Sequence, residues 1–354
     1  MNGDRRRAFF LPLAMILCCA STAFSQQAVD PLLAKLNALP SDERHAALVK
    51  GAQSERVVEW YATLPAEHSK ALIDAFRKHY PFVEIKQTRA GGGRLVNRVA
   101  TEHRAGLNKF DVLGGTSTSH VALMKAGLVA RNMSPIRKEL RDGFRDADGY
   151  RVAPFTYALV IAYNPRAVPK DQQPRSYEEF LSPKWKGQIG LEAAGYEWLA
   201  AVIDTMGEDK ALAFARRLAS QDLRVQQGSS LLVQQMSAGE FNVLIDALHY
   251  QIENQKQLGA PIDYTVPDPL LIKDPSGIWV AKYAPHPHAA ALFADFLFTR
   301  EAQQIYARQN RLPARKDMEW RFAQKTPERI HVLSVDKWAP RYNELISTFD
   351  KIFR

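Results

Sequence analysis

Two groups of residues in this chain have the types and spacing for ligand chemistry. The first are glycines and hydroxyls gathered directly after apolar runs: Thr63, then Gly91-Gly92-Gly93, then Gly115-Thr116-Ser117-Thr118-Ser119. Each precedes a stretch with helical spacing. Free backbone N–H groups and the helix dipole at such a start favour an anion. Taken singly these are ordinary turn and cap residues; three such loops in series point to one anion-binding rim. The second group is His249-Tyr250, directly after an apolar run. Imidazole and phenolate suit a ferric ion. A helix-start pair making ordinary hydrogen bonds is the other reading, and the sequence leaves both open. His286-Pro287-His288 also brings two imidazoles close. No third ligand stands nearby, and a helix start accounts for both.

Other chemistries find no support. There is no Gly-x-Ser-x-Gly elbow, no zinc-protease helix motif and no marked acidic pair, so an exported hydrolase is the weakest alternative and the chain reads as a non-enzyme. Gly91-Gly92-Gly93 fits neither nucleotide fingerprint, and no cofactor is implied.

The elements that must position these residues read as α/β. Val57–Ala62, Val83–Thr88 and Phe110–Leu113 have strand character, and helical patterns follow each. This βαβαβα order predicts a mainly parallel sheet with the three loops at its carboxyl edge. The central run Val152–Pro165 is apolar on both alternating faces from Phe155 to Tyr163, as in a strand covered on both sides. It reads as the crossing between two lobes, or as the central strand of one large sheet. Before the first strand, Asp30-Pro31 opens a helix, and Ser41 caps a second that Gly51 closes. The boundaries expected are 1–25 for an export leader, 26–54 for a helical preamble, 55–154 with 270–315 for lobe one, 155–269 for lobe two and 316–354 for a helical tail.

The leader rests on Arg5-Arg6-Arg7, an apolar run from Ala8 to Ala20 and the small-x-small site Ala23-Phe24-Ser25. Its removal takes away both cysteines, Cys18 and Cys19, and leaves no thiol or disulfide chemistry. Bulky Leu17 argues against a lipid anchor. A bacterial periplasm follows as the address. The net charge is +9, of which +7 remains after the leader, scattered rather than blocked. That excludes a nucleic-acid stripe and suits an anionic ligand or simple solubility.

Four segments carry a resemblance. They are Phe180-Leu-Ser-Pro-Lys-Trp-Lys-Gly-Gln-Ile-Gly190, Ser237-Ala-Gly-Glu-Phe241, Gly259-Ala-Pro261, and Ala284-Pro-His-Pro-His-Ala-Ala290 with Phe293-Ala-Asp-Phe-Leu297. In this order they resemble the family 1 extracellular solute-binding proteins of ABC importers, closest to the ferric-iron-binding branch. The resemblance implies a two-lobed type II periplasmic-binding fold with hinged closure, a transported ligand, and a permease and ATPase as partners of a monomer. Ferric iron would be cargo rather than cofactor. Relatives on that branch hold iron with two adjacent tyrosines, where this chain has His249-Tyr250, and with an acidic residue where this chain has Gly114-Gly115-Thr116-Ser117. The departure favours a small anionic solute contacted by Thr63, Gly92, Gly93, Thr116 and Ser117 from lobe one. Glu192, Tyr196, Ser229, Ser230, His249 and Tyr250 complete the expected site from lobe two, with Trp198 either beside the ligand or in the core.

Overall fold

The computed structural model describes residues 27–273, 276–322 and 327–354. The expected leader lies outside the described residues. In chain order the strands are β1 (Val57–Ala62), β2 (Glu84–Arg89), β3 (Val112–Gly115), β4 (Val152–Thr156), β5 (Ala158–Tyr163), β6 (Ile189–Glu192) and β7 (Arg224–Gln226). They continue as β8 (Val243–Leu248), β9 (Asp263–Thr265), β10 (Leu270–Ile272), β11 (Ser276–Val280), β12 (Leu312–Pro313) and β13 (Ile330–Val332).

Two sheets form, one per lobe. The first runs β12-β4-β11-β3-β1-β2 and the second β13-β10-β5-β8-β6-β7, with β9 pairing on β5 beside β10. In the first sheet β1 pairs parallel with β2 and β3, while β11 joins antiparallel to β3 and β4. In the second sheet β6 pairs parallel with β7 and β8, and β5 runs antiparallel to β8. The central apolar run is therefore two strands in different sheets, broken at Tyr157. It is a crossing between lobes, not the middle of one sheet.

Each lobe closes over its own core. In lobe one the helices Ala66–His79 and Pro287–Phe296 bring Phe76, Phe293 and Phe296 onto Trp60 of β1. Trp60 meets Phe293 edge-on at 5.1 Å and Phe76 meets Phe293 at 5.2 Å. Such pairs add about 0.5–1.5 kcal/mol each beyond the area they bury. Gly51 does not end its helix, which runs Ser41–Glu55 under the cap Pro40. A Cβ on Gly51 would lie 2.2 Å from His288 Cγ, so glycine there permits close helix approach. Glu55 at the end of that helix accepts from the backbone N–H groups of His288 and Ala289 and meets His288 Nδ1 at 2.7 Å. His286 Nδ1 lies 2.9 Å from Asp111. Both imidazoles thus bind carboxylates within the fold.

Two boundaries differ from the sequence reading. The segment 270–272 belongs to lobe two as β10, and lobe one resumes with β11 at Ser276. The tail is not wholly helical and does not stand apart: β13 extends the second sheet through β10. The helix Tyr342–Phe353 buries Leu345, Phe349 and Phe353 in the lobe-two core.

Candidate functional site

The three lobe-one loops converge. A Cβ on Gly92 would lie 2.9 Å from Ser119 Oγ, 3.1 Å from Thr116 Oγ1 and 3.9 Å from Thr63 Cγ2. Parallel pairing of β1 with β2 and β3 sets this geometry, because it brings the three carboxyl ends to one edge. The helices Gly92–Arg104 and Ser117–Lys125 both start there. Gly93 has open space beside it and Thr116 is exposed. Ser117 opens the second helix; its side chain lies outside the described residues.

Lobe two meets the sequence reading only in part. Ser229, Ser230 and Tyr250 come together through Gln251, whose Nε2 donates to the three hydroxyls at 3.2, 3.4 and 3.4 Å. Glu192 reaches the same helix start, Ser229–Ala238, but from within. Both its carboxylate oxygens accept from Gly228 N–H at 3.0 Å. The chain thus supplies its own anion at the helix start that was expected to bind the ligand's. Tyr196 turns the other way and packs edge-on against Phe349 of the tail at 5.4 Å. Trp198 is a core residue, 1% exposed.

His249 is also not a free ligand. It is 2% exposed, and its Nδ1 accepts the N–H of Ala158, the first residue of β5. Burial pulls its pKa down to about 3, and the nearby Arg311 charge acts in the same direction. The imidazole is a neutral structural acceptor that pins the crossing strand to the helix His249–Gln257. Among the described residues no group of three or more His, Cys, Asp or Glu side chains is placed to hold a metal ion.

Tyr250 does face other side chains, and two of them, Tyr157 and Arg311, were not visible as candidates in the sequence. Tyr157, at the break between β4 and β5, packs against Tyr250 with ring centres 4.6 Å apart and planes tilted by 31°. The Arg311 guanidinium lies 5.5 Å from the Tyr250 ring centre, 6.0 Å from that of Tyr157 and 5.0 Å from that of Phe155. It donates to Gln309 Oε1 and meets His68 Nδ1, each at 2.9 Å. Burial and the Arg311 charge lower the His68 pKa, so this partner is neutral. Arg311 is 3% exposed, its Nε has no partner, and no ion pair to it occurs among the described residues. Burial raises the Tyr250 pKa, Tyr157 adds to this and Arg311 opposes it, so its phenol stays protonated near neutrality. Lys273, on the return crossing, pairs with Glu197 at 2.9 Å.

The groups described are thus helix starts and hydroxyls in lobe one, a buried guanidinium beside the crossing, and phenol and serine hydroxyls in lobe two. The family model described as bacterial extracellular solute-binding protein matches residues 111–340, more than half of the chain. The chain belongs to that family. It is 28% identical to iron uptake protein A1 of Synechocystis over 47% of this chain and 50% of that one, so it spans only half of that relative. It is 23% identical to the Fe(3+)-binding periplasmic protein of Serratia marcescens over 74% of this solute-binding protein and 80% of that one. The structure of iron-bound HitA from Pseudomonas aeruginosa superposes with a TM-score of 0.71 at 21% identity, covering 84% of this chain and 99% of that one. That likeness shows the two-lobed type II fold.

Proposed function

We propose that this solute-binding protein is exported to the periplasm, works as a monomer, and captures a small anionic solute between its lobes for the permease and ATPase of an ABC importer. The observation that carries the anion reading is Arg311. A buried guanidinium that among the described residues has only neutral partners and an unpaired Nε sets a positive potential at the hinge end of the cleft. The lobe-one helix starts add positive ends from the facing side. The test is native mass spectrometry of the mature protein taken from the periplasm. The expected result is an added mass of a small anion that is lost in Arg311→Gln. An iron mass, or unchanged retention in the variant, overturns the reading.

Ferric iron is the second reading, favoured by one observation and by the relatives' names. Tyr157 and Tyr250 present two phenols in contact, and the relatives are named for iron uptake and Fe(3+) binding. Against it stand the guanidinium beside both rings and the raised Tyr250 pKa. Iron-linked colour that survives Tyr250→Phe removes this alternative.

A further inference from the structure

Beside the lobe-one loop cluster is a small apolar cavity of about 20 Å³, lined among others by Trp60, Thr63, Gly114, Phe155, Ile278 and Tyr306. It connects the two parts of the site: Thr63 belongs to the anion-facing loops, and Phe155 lies under the Arg311 guanidinium. Its size suits one water or one methyl-sized group rather than a long chain. Thr63, Ser276 and Tyr306 also line it, so the mostly apolar wall carries some hydroxyl-bearing residues. Trp60 is 1% exposed, and among the described residues its indole Nε1 has no hydrogen-bond partner. A Cβ on Gly114, which also lines the cavity, would lie 3.4 Å from that Nε1, so the indole N–H sits at the cavity wall.

An indole nitrogen donates and never accepts. A buried donor left unpaired is unfavourable, so the group that fills this cavity should bring an acceptor. The walls around it are mostly carbon, which an inorganic oxyanion matches poorly, and a metal ion would face the positive end of an N–H bond. Resting on the anion reading above, we propose that the solute is a short oxo- or hydroxy-carboxylate. Its carboxylate faces the helix starts at Gly92 and Thr116, its carbon body enters the cavity, and its oxo or hydroxyl oxygen accepts from Trp60 Nε1.

Calorimetric titration of the ligand-stripped mature protein tests this with four probes: pyruvate, lactate, propionate and inorganic phosphate. Pyruvate or lactate is expected to bind at least about ten-fold more tightly than propionate, which has the carbon but no second acceptor, and than phosphate. Trp60→Phe keeps the ring against Phe293 and removes the donor; it should erase the advantage over propionate. Gly114→Ala puts a methyl group 3.2 Å from Ile278 Cδ1 and fills part of the cavity. It should weaken the organic acids about ten-fold or more and leave phosphate unchanged, and it decides the matter alone if Trp60→Phe does not fold. Phosphate binding as tightly as the organic acids, or a preference untouched by both variants, overturns this inference and leaves the anion reading standing. No binding of any of the four overturns the inference, and retention of iron instead overturns both.

Discussion

His249 and Asp246 lie close together in sequence and carry opposite pH dependences. Burial drives Asp246 from 3.8 up to about 7, with hydrogen bonding to the Glu192 backbone partly opposing it and the Glu192 charge adding to it. The folded state therefore binds a proton that the unfolded state has released. Asp246 makes the protein less stable as pH rises from about 4 to 7. His249, near 3 in the folded state, does the reverse: the unfolded state takes up the proton first, so stability falls as pH drops below about 6.5. In the window between about pH 4 and 6.5 the two contributions oppose each other. Asp246→Asn should leave the histidine slope exposed, so that stability rises with pH by about 3 kcal/mol across that window. His249→Gln should show the opposite slope, falling as pH rises. Urea denaturation midpoints at several pH values check both, and parallel curves for the two variants would contradict the assignment. At this scale the sequence was partly legible. Thr63, Gly92 and Thr116 stood out because glycine and hydroxyls before helices have a local signature. Arg311 did not, since a basic residue just past a helix end looks like a partner for the dipole. Its burial comes from packing with β4 and the helix His249–Gln257, which are distant in sequence.

Among the elements, the helix Ser41–Glu55 shows how a local rule gives way to packing. Gly51 reads as a stop, yet the helix continues because His288 occupies the space a side chain would need. Gly51→Ala should destabilise the protein by about 1–3 kcal/mol, since the clash is with ring atoms held by Glu55. Removing the ring in Gly51→Ala/His288→Ala should recover part of that loss, measured by chemical denaturation; a double variant no better than the single one would count against the packing account. The strands of the first lobe were legible because β-branched and aromatic alternation is strong in Val57–Ala62. The short pieces β10, β12 and β13 were not. Two or three residues carry no period, and their pairing depends on partners far along the chain.

For the whole molecule, the arrangement of two sheets joined by crossing strands predicts a bending motion. Small-angle scattering should show the radius of gyration fall when a bound solute is added to stripped protein, and Tyr157→Pro at the break between β4 and β5 should reduce or abolish that change. An unchanged scattering curve with saturating ligand would contradict closure. Two lobes were readable from the chain's α/β order. The role of the tail was not, because residues 316–354 show amphipathic spacing without saying which lobe they cover. The burial of Phe349 and Phe353 against Trp198 and its neighbours supplies that answer.

Glu192 bears on the order of events. Its carboxylate already occupies the amide of Gly228 at the lobe-two helix start. On the proposed anion reading, the strongest attraction for an incoming anion would then belong to lobe one and the hinge. A solute would dock on that side while the jaws are apart, and the hydroxyls of Ser229, Ser230 and Tyr250 would meet it only as they shut. Opening would then undo weak neutral contacts first and leave the cargo on one face, ready for handover.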